Sequence, residues 1–284
     1  MNIKEIEYEN KLYPEALRNI KKPPKKLYVL GDETILNNES VAIIGSRNCT
    51  EYGVKIAKEF ARDLAQNGVT IVSGMAKGID SAAHIGAIEV KGKTIAVLGS
   101  GFNHIFPDKE VFEKILKHGG AVITEYEQNI DVFPQGFRDR NRIVAGLGVG
   151  VLVVEAREKS GTGITAEYAN QFNRKVFCIP HRIGDDAGVG TNRLIKRGAM
   201  LVTEAQDLLP FFENIKSIKK NDTKLQIEIP EEYKIVYDSL QEPLNADEVS
   251  KKTKMKIIEV NTILTMLELE GYIESMPGNF FRRK

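Results

Sequence analysis

Four apolar residues in a row, Val41-Ala42-Ile43-Ile44, are stopped by Gly45, and this pattern of a short apolar run ended by small residues returns along the chain. It recurs at Val69-Thr70-Ile71-Val72 before Ser73-Gly74, and at Thr94-Ile95-Ala96-Val97-Leu98 before Gly99-Ser100-Gly101. It appears again at residues 121–124, 150–154, 175–179 and 199–202. Between the runs lie stretches of helical period. In residues 52–67, Ala57, Phe60, Ala61, Leu64 and Ala65 share one face, and Gly68 suits the stop. Strands that are apolar at nearly every position are buried on both faces, so they pair in parallel and need helices on both sides.

These elements predict an α/β fold, an extended Rossmann-like parallel sheet with helices on both faces, over residues 36–215. Residues 1–35 hold Tyr13-Pro14 and Lys21-Lys22-Pro23-Pro24-Lys25-Lys26. Their prolines disfavour helix, and an arm leading into the domain is expected, with Leu27-Tyr28-Val29-Leu30 as a short edge strand. Residues 216–226 read as a polar linker. Residues 227–284 then give three helical patterns, at 231–240, 245–252 and 256–270, and a hairpin pattern at 272–282. Three helices and a hairpin predict a small C-terminal winged-helix domain.

The chain of 284 residues has a net charge of only +1, but the charge is unevenly spread. Residues 136–200 hold eleven basic and six acidic residues, whereas 225–284 hold eight and eleven. A polyanion site is therefore expected in the middle of the chain. The two cysteines, Cys49 and Cys178, stand far apart, and the four histidines show no metal-binding spacing. No metal and no cofactor is expected. The charged start Met1-Asn2-Ile3-Lys4-Glu5 does not suit a signal peptide, and no apolar run is long enough to span a bilayer. A cytoplasmic protein without membrane attachment is expected.

Ligands of such sheets bind at the carboxyl ends of the strands. Gly45-Ser46-Arg47 combines a tight turn, a hydroxyl and a guanidinium able to clamp a phosphate with two hydrogen bonds. Ser73, Gly74 and Lys77 form a second loop of phosphate-binding composition, without the spacing of a Walker motif, and Gly99-Ser100-Gly101 a third. Phe137-Arg138-Asp139-Arg140-Asn141-Arg142 is the sharpest charged segment, with Phe137 available to stack on a base. Ser160-Gly161-Thr162, with Thr165, opens a helix whose N-terminus suits an anion. Each loop alone is equally satisfied by an ordinary strand-to-helix turn with solvated arginines.

Together these segments resemble the DNA-processing protein A (DprA/Smf) family. The resemblance rests on residues 41–47, on Ser73-Gly74-Met75-Ala76-Lys77-Gly78-Ile79-Asp80, on 94–101 with Phe106-Pro107, and on Arg140-Asn141-Arg142. It continues through Val153-Val154-Glu155-Ala156, Ser160-Gly161-Thr162 and Gly190-Thr191-Asn192. It implies a non-enzymatic protein that binds single-stranded DNA, loads a RecA-type recombinase in natural transformation and acts as a homodimer. It makes Arg47, Lys77, Arg140 and Arg142 the expected DNA contacts. The arm of residues 1–35 stands where many members carry a small helical domain. Two other functions remain open. Gly161-Thr162-Gly163 with Glu167 is similar to a loop of nucleotide phosphoribohydrolases, in which a glutamate would assist cleavage of an N-glycosidic bond. The winged helix would also suit a nucleotide-sensing regulator.

Overall fold

The computed structural model describes residues 2–105, 108–158, 160–213, 230–269, 272–276 and 278–283. Phe106-Pro107, the linker at 216–226 and, in the hairpin pattern, Pro277 lie outside the described residues. The chain divides into two compact units, residues 1–217 and 218–284.

The first unit is built on a nine-stranded sheet. Its strands are β1 (Lys4–Glu7), β2 (Lys26–Gly31), β3 (Ser40–Ile44), β4 (Thr70–Ser73), β5 (Thr94–Val97), β6 (Ala121–Thr124), β7 (Gly150–Val153), β8 (Lys175–Cys178) and β9 (Met200–Leu201). They lie in the order β1-β2-β6-β5-β4-β3-β7-β8-β9. From β6 to β9 every neighbouring pair is parallel, while β2 runs antiparallel to β6 and β1 antiparallel to β2. The chain thus winds outward from β3 to β6, then crosses back to place β7 on the other side of β3. That reversal leaves a crevice at the carboxyl ends of β3 and β7.

Alternation along β3 explains the two layers. Ala42 and Ile44 face α5 (Pro134–Leu147) and α6 (Thr162–Gln171), in a core with Val144, Ala166 and Ala169. Val41 and Ile43 face α2 (Glu51–Gln66) and α3 (Ile79–Glu89), in a core with Phe60, Leu64 and Ala83. Further along the same sheet, α4 (Lys109–Lys117) covers Ala96 and Val122 with Phe112 and Ile115. The α7 helix (Val189–Lys196) leads into β9.

Residues 1–35 are not a lead-in arm. They supply β1, the short α1 helix (Glu15–Arg18) and β2, and they bury Ile6, Tyr13, Leu17, Ile20 and Leu27 in the α5 layer. The prolines delimit the strands without excluding them, because β2 begins only at Lys26, after Pro23-Pro24.

The second unit has helices α8 (Glu231–Ser239), α9 (Ala246–Thr253) and α10 (Ile257–Leu269). Strands β10 (Leu244–Asn245), β11 (Ile273–Met276) and β12 (Phe280–Arg283) form a sheet in the order β10-β12-β11. Asn245 caps α9 in a reciprocal box with Glu248, and Val236, Val249, Val260, Leu264 and Ile273 form the core. This is the expected winged helix. No helix among the described residues is long and apolar enough to cross a membrane.

One buried group sets an acid limit on the first unit. His84 of α3 is fully buried, with Nδ1 2.7 Å from Thr94 Oγ1. That hydroxyl gives its own proton to Ile71 O at 2.8 Å, so it accepts from His84 Nδ1–H. Burial, with Arg140 nearby, drops the imidazole pKa to about 3. An unfolded histidine takes up its proton near pH 6.5. Stability from the neutral ring is therefore complete above that pH and lost as pH falls through the window toward 3, by about 1.4 kcal/mol per unit. We expect His84→Asn to flatten the pH dependence of urea-unfolding free energy between about pH 6 and 4.

Candidate functional site

The crevice between β3 and β7 opens into a cavity of about 990 Å³. Gly45, Ser46 and Arg47 enter it from the end of β3, and Phe137, Arg138, Arg140 and Asn141 from α5. Ser160, Gly161, Thr162 and Thr165 complete it at the start of α6. Segments separated by more than a hundred residues are thus brought into one wall.

Local packing holds each part. A Cβ on Gly45 would fall 2.6 Å from Ile79 Cγ1, so only glycine lets the end of β3 pass the start of α3. Ser46 N donates to Glu155 O at 2.9 Å, which ties this loop to the end of β7. Arg47 is exposed, and its guanidinium lies 5.4 Å from the centre of the Phe137 ring. No ion pair holds Arg47 among the described residues. Arg138 is exposed one residue along α5 from that ring. The α6 N-terminus, with Thr162 and Thr165 largely buried beside it, adds the positive end of a helix dipole.

Arg140 differs from its neighbours. Its side chain is 4% exposed and stands 3.9 Å from Asp80 Oδ2. Asp80 also accepts from Gly74 N at 3.1 Å. Burial pushes the Asp80 carboxyl up and the Arg140 guanidinium down, and their mutual attraction opposes both shifts. The guanidinium keeps its charge in either case. Arg140 Nε is buried without a hydrogen-bond partner. Arg140 therefore forms a fixed floor to the cavity, its charge set against that of Asp80.

The other expected residues have different places. Gly74 makes room for Arg140, since a Cβ there would lie 1.1 Å from its Nη1. Ser73 is buried and donates its hydroxyl to Ile43 O at 2.6 Å, joining β4 to β3. Lys77 is exposed, outside the cavity wall. Gly99-Ser100-Gly101 is a buried turn in which Ser100 Oγ donates to His104 O at 2.8 Å. A Cβ on Gly99 would lie 2.9 Å from the Gly136 backbone, and one on Gly101 2.1 Å from Glu127 O, so these glycines serve close backbone packing. Arg142 lies outside the cavity wall, its Nη1 and Nη2 each donating to the Glu125 carboxylate at 2.6 Å.

The cavity also contains Arg157, which sequence reasoning passed over. The signal was available, because Arg157 follows the end of β7 as Arg47 follows the end of β3. Four arginines and one aspartate line the cavity, and that aspartate already faces Arg140. Among the described residues no group of histidine, cysteine or acidic side chains is arranged to hold a metal ion.

The family model "DNA recombination-mediator protein A" matches residues 4–213, and the model "DprA winged helix domain" matches residues 231–279. Protein Smf of Escherichia coli is 36% identical over 289 residues, covering 98% of this chain and 76% of Smf. The X-ray structure of DNA processing protein A from Streptococcus pneumoniae superposes with a TM-score of 0.70 at 39% identity, covering 75% of each chain. The Helicobacter pylori DNA processing protein A, described for its single-stranded DNA binding mode, superposes with a TM-score of 0.65 at 33% identity. That match covers 73% of this chain and 94% of the H. pylori protein.

The Arg140 packing has a consequence for mutagenesis. Arg140→Ala leaves Asp80 buried without its counter-charge and is expected to cost about 3–5 kcal/mol of stability. Gly74→Ala forces the guanidinium aside and is expected to cost about 1–3 kcal/mol. Arg47→Ala, at an exposed side chain, is expected to change stability by less than about 0.5 kcal/mol. Urea unfolding of the three variants checks this order.

Proposed function

Because the chain belongs to the DNA recombination-mediator protein A family, we propose that its first unit binds single-stranded DNA in the β3–β7 cavity and loads a RecA-type recombinase during natural transformation. The observation that carries this function is the convergence of Arg47, Arg138, Arg140 and Arg157 on one cavity, with Phe137 in its wall beside Arg47. Arginines and a helix N-terminus suit phosphates, and an aromatic ring suits the face of a base. Neither contact distinguishes one base edge from another, so sequence preference is weak.

The protein works as a homodimer in the cytoplasm. The edge strand β9 supports a second copy, with Met200 39% and Leu201 52% exposed, and two free cysteines fit a reducing compartment. Binding, not bond cleavage, is the activity proposed. Glu167, the carboxylate that an N-glycosidic cleavage would use, is exposed and lines a second cavity between α6 and α7. The carboxylate at the arginine cavity, Asp80, is buried and engaged by Arg140, so it is poorly placed as a general base.

Titration of the full-length protein with oligothymidylate across salt concentrations tests this function. Binding is expected at low salt and is expected to weaken steeply as salt rises. Arg47→Ala is expected to weaken it roughly ten-fold and to make the logarithmic salt slope shallower by about 0.7. A wild-type protein that fails to bind at low salt, or that releases free base from a nucleoside monophosphate, would overturn it.

A further inference from the structure

The turn between α1 and β2 carries a charge that the cavity does not use. Lys21, Lys22 and Lys25 are exposed, and none is in an ion pair among the described residues, whereas Lys26 is engaged by Glu5 and Glu7. The backbone of this turn is held at three points, the first being Lys25 O, which accepts from Tyr8 N at 2.9 Å. The buried Tyr13 donates its hydroxyl to Pro24 O at 2.8 Å, and Arg142 Nε donates to Lys22 O at 2.9 Å. Pro23 and Pro24 fix two further φ angles. Three exposed lysines are therefore carried on a fixed backbone within five residues of chain.

The sheet register puts this turn on the same edge as the arginine cavity. Tyr28 of β2 lies opposite Thr124, the last residue of β6, so residues 21–25 stand at the carboxyl end of β6. The α5 helix connects the two places. Arg138 lines the cavity, and Arg142, one helical turn along on the same face, carries the lysine turn. One turn of helix rises only about 5.4 Å. Beside them Tyr126 meets Phe133 edge-on at 5.3 Å, and Phe133 itself lines the cavity. Aromatic surface thus continues from the cavity toward the lysine turn, and Arg142, whose charge Glu125 answers, joins the turn to α5.

We propose that the turn at residues 21–25 is a second phosphate-contact segment for single-stranded DNA. The strand leaves the cavity past Arg138, crosses Phe133 and Tyr126, and places successive phosphates against Lys21, Lys22 and Lys25. Lysines act there as point charges that hold the DNA backbone without reading sequence. The inference rests on the single-strand function proposed above and extends it to the length of strand the protein holds.

A triple variant of the full-length protein, Lys21→Gln, Lys22→Asn and Lys25→Gln, tests it. Asparagine is chosen at position 22 because its φ is 59°, a conformation asparagine tolerates. With only exposed side chains changed, the thermal midpoint is expected to match wild type. On long oligothymidylates the affinity is expected to fall roughly ten-fold at low salt, with the logarithmic salt slope shallower by about 2 for three phosphates. Short oligothymidylates that fill only the cavity are expected to bind the variant as they bind wild type. The proposal is overturned if the variant matches wild type on long strands, if short strands lose as much as long ones, or if only duplex binding falls. Arg47→Ala in the same titration separates the two levels. If Arg47→Ala weakens binding while the triple variant does not, the lysine turn alone is refuted. If wild type binds neither length, the single-strand function and the turn fall together.

Discussion

The backbone carbonyl of Glu155 accepts from Ser46 N at 2.9 Å, while its fully buried carboxylate accepts from Thr50 N at 3.0 Å and from the Thr50 hydroxyl. One residue thus joins the end of β7 to the loop after β3 and to the cap of α2. Thr50 in turn caps α2 by accepting from Gly53 N at 3.0 Å. Gly53 is required as well, because a Cβ there would fall 2.4 Å from the Glu155 carboxylate carbon. A carboxylate at a helix N-terminus, met by backbone and hydroxyl donors, is compensated without a basic partner. The positions of Ser46 and Arg47, and so the mouth of the cavity, follow from this junction.

The arginines of α5 show how one residue type takes different work from its surroundings. Arg138 meets solvent and lines the cavity. Arg140, two residues on, is turned into the protein against Asp80 and Gly74. Arg142 is back on the Arg138 face, but Glu125 of the segment after β6 receives both of its Nη groups. The resulting cavity has three exposed arginines at its rim, Arg47, Arg138 and Arg157, and one immobile guanidinium at its floor. A guanidinium held this way against Asp80 needs no side-chain ordering to keep its place.

The near-zero net charge of the chain conceals this asymmetry, because residues 225–284 carry eleven acidic against eight basic residues and the first unit holds acids in surface ion pairs. The α10 helix of the winged-helix unit contains no lysine or arginine, and its Ile258 and Leu269 are 76% and 77% exposed. Lys251, Lys252, Lys254 and Lys256 precede it. A helix face without cations offers little attraction to duplex phosphates, whereas exposed aliphatic side chains suit contact with protein.

Strand and helix order, the parallel sheet and the winged helix were legible in the sequence because each depends on a periodicity carried within a single segment. The end of each strand, and therefore the candidate loops, followed from the same local signal, and the fold brings Gly45, Ser46, Arg47, Ser160, Gly161 and Thr162 to one cavity. Other assignments needed partners remote in sequence. Glycines in similar loops proved to be spaces for Arg140 at position 74 and for the backbone of α5 and Glu127 at positions 99 and 101. Arg142 could not be separated from Arg138 by spacing, since both share a helix face and only Glu125 distinguishes them. Residues 1–35 looked like an arm because β1 and β2 acquire their meaning from pairing with each other and with β6. The sequence by itself determined which segments become strands and helices and where anion-binding loops can form. Tertiary structure alone decided which cations remain free to meet a phosphate, because a charge is spent or available according to the neighbours that folding brings to it.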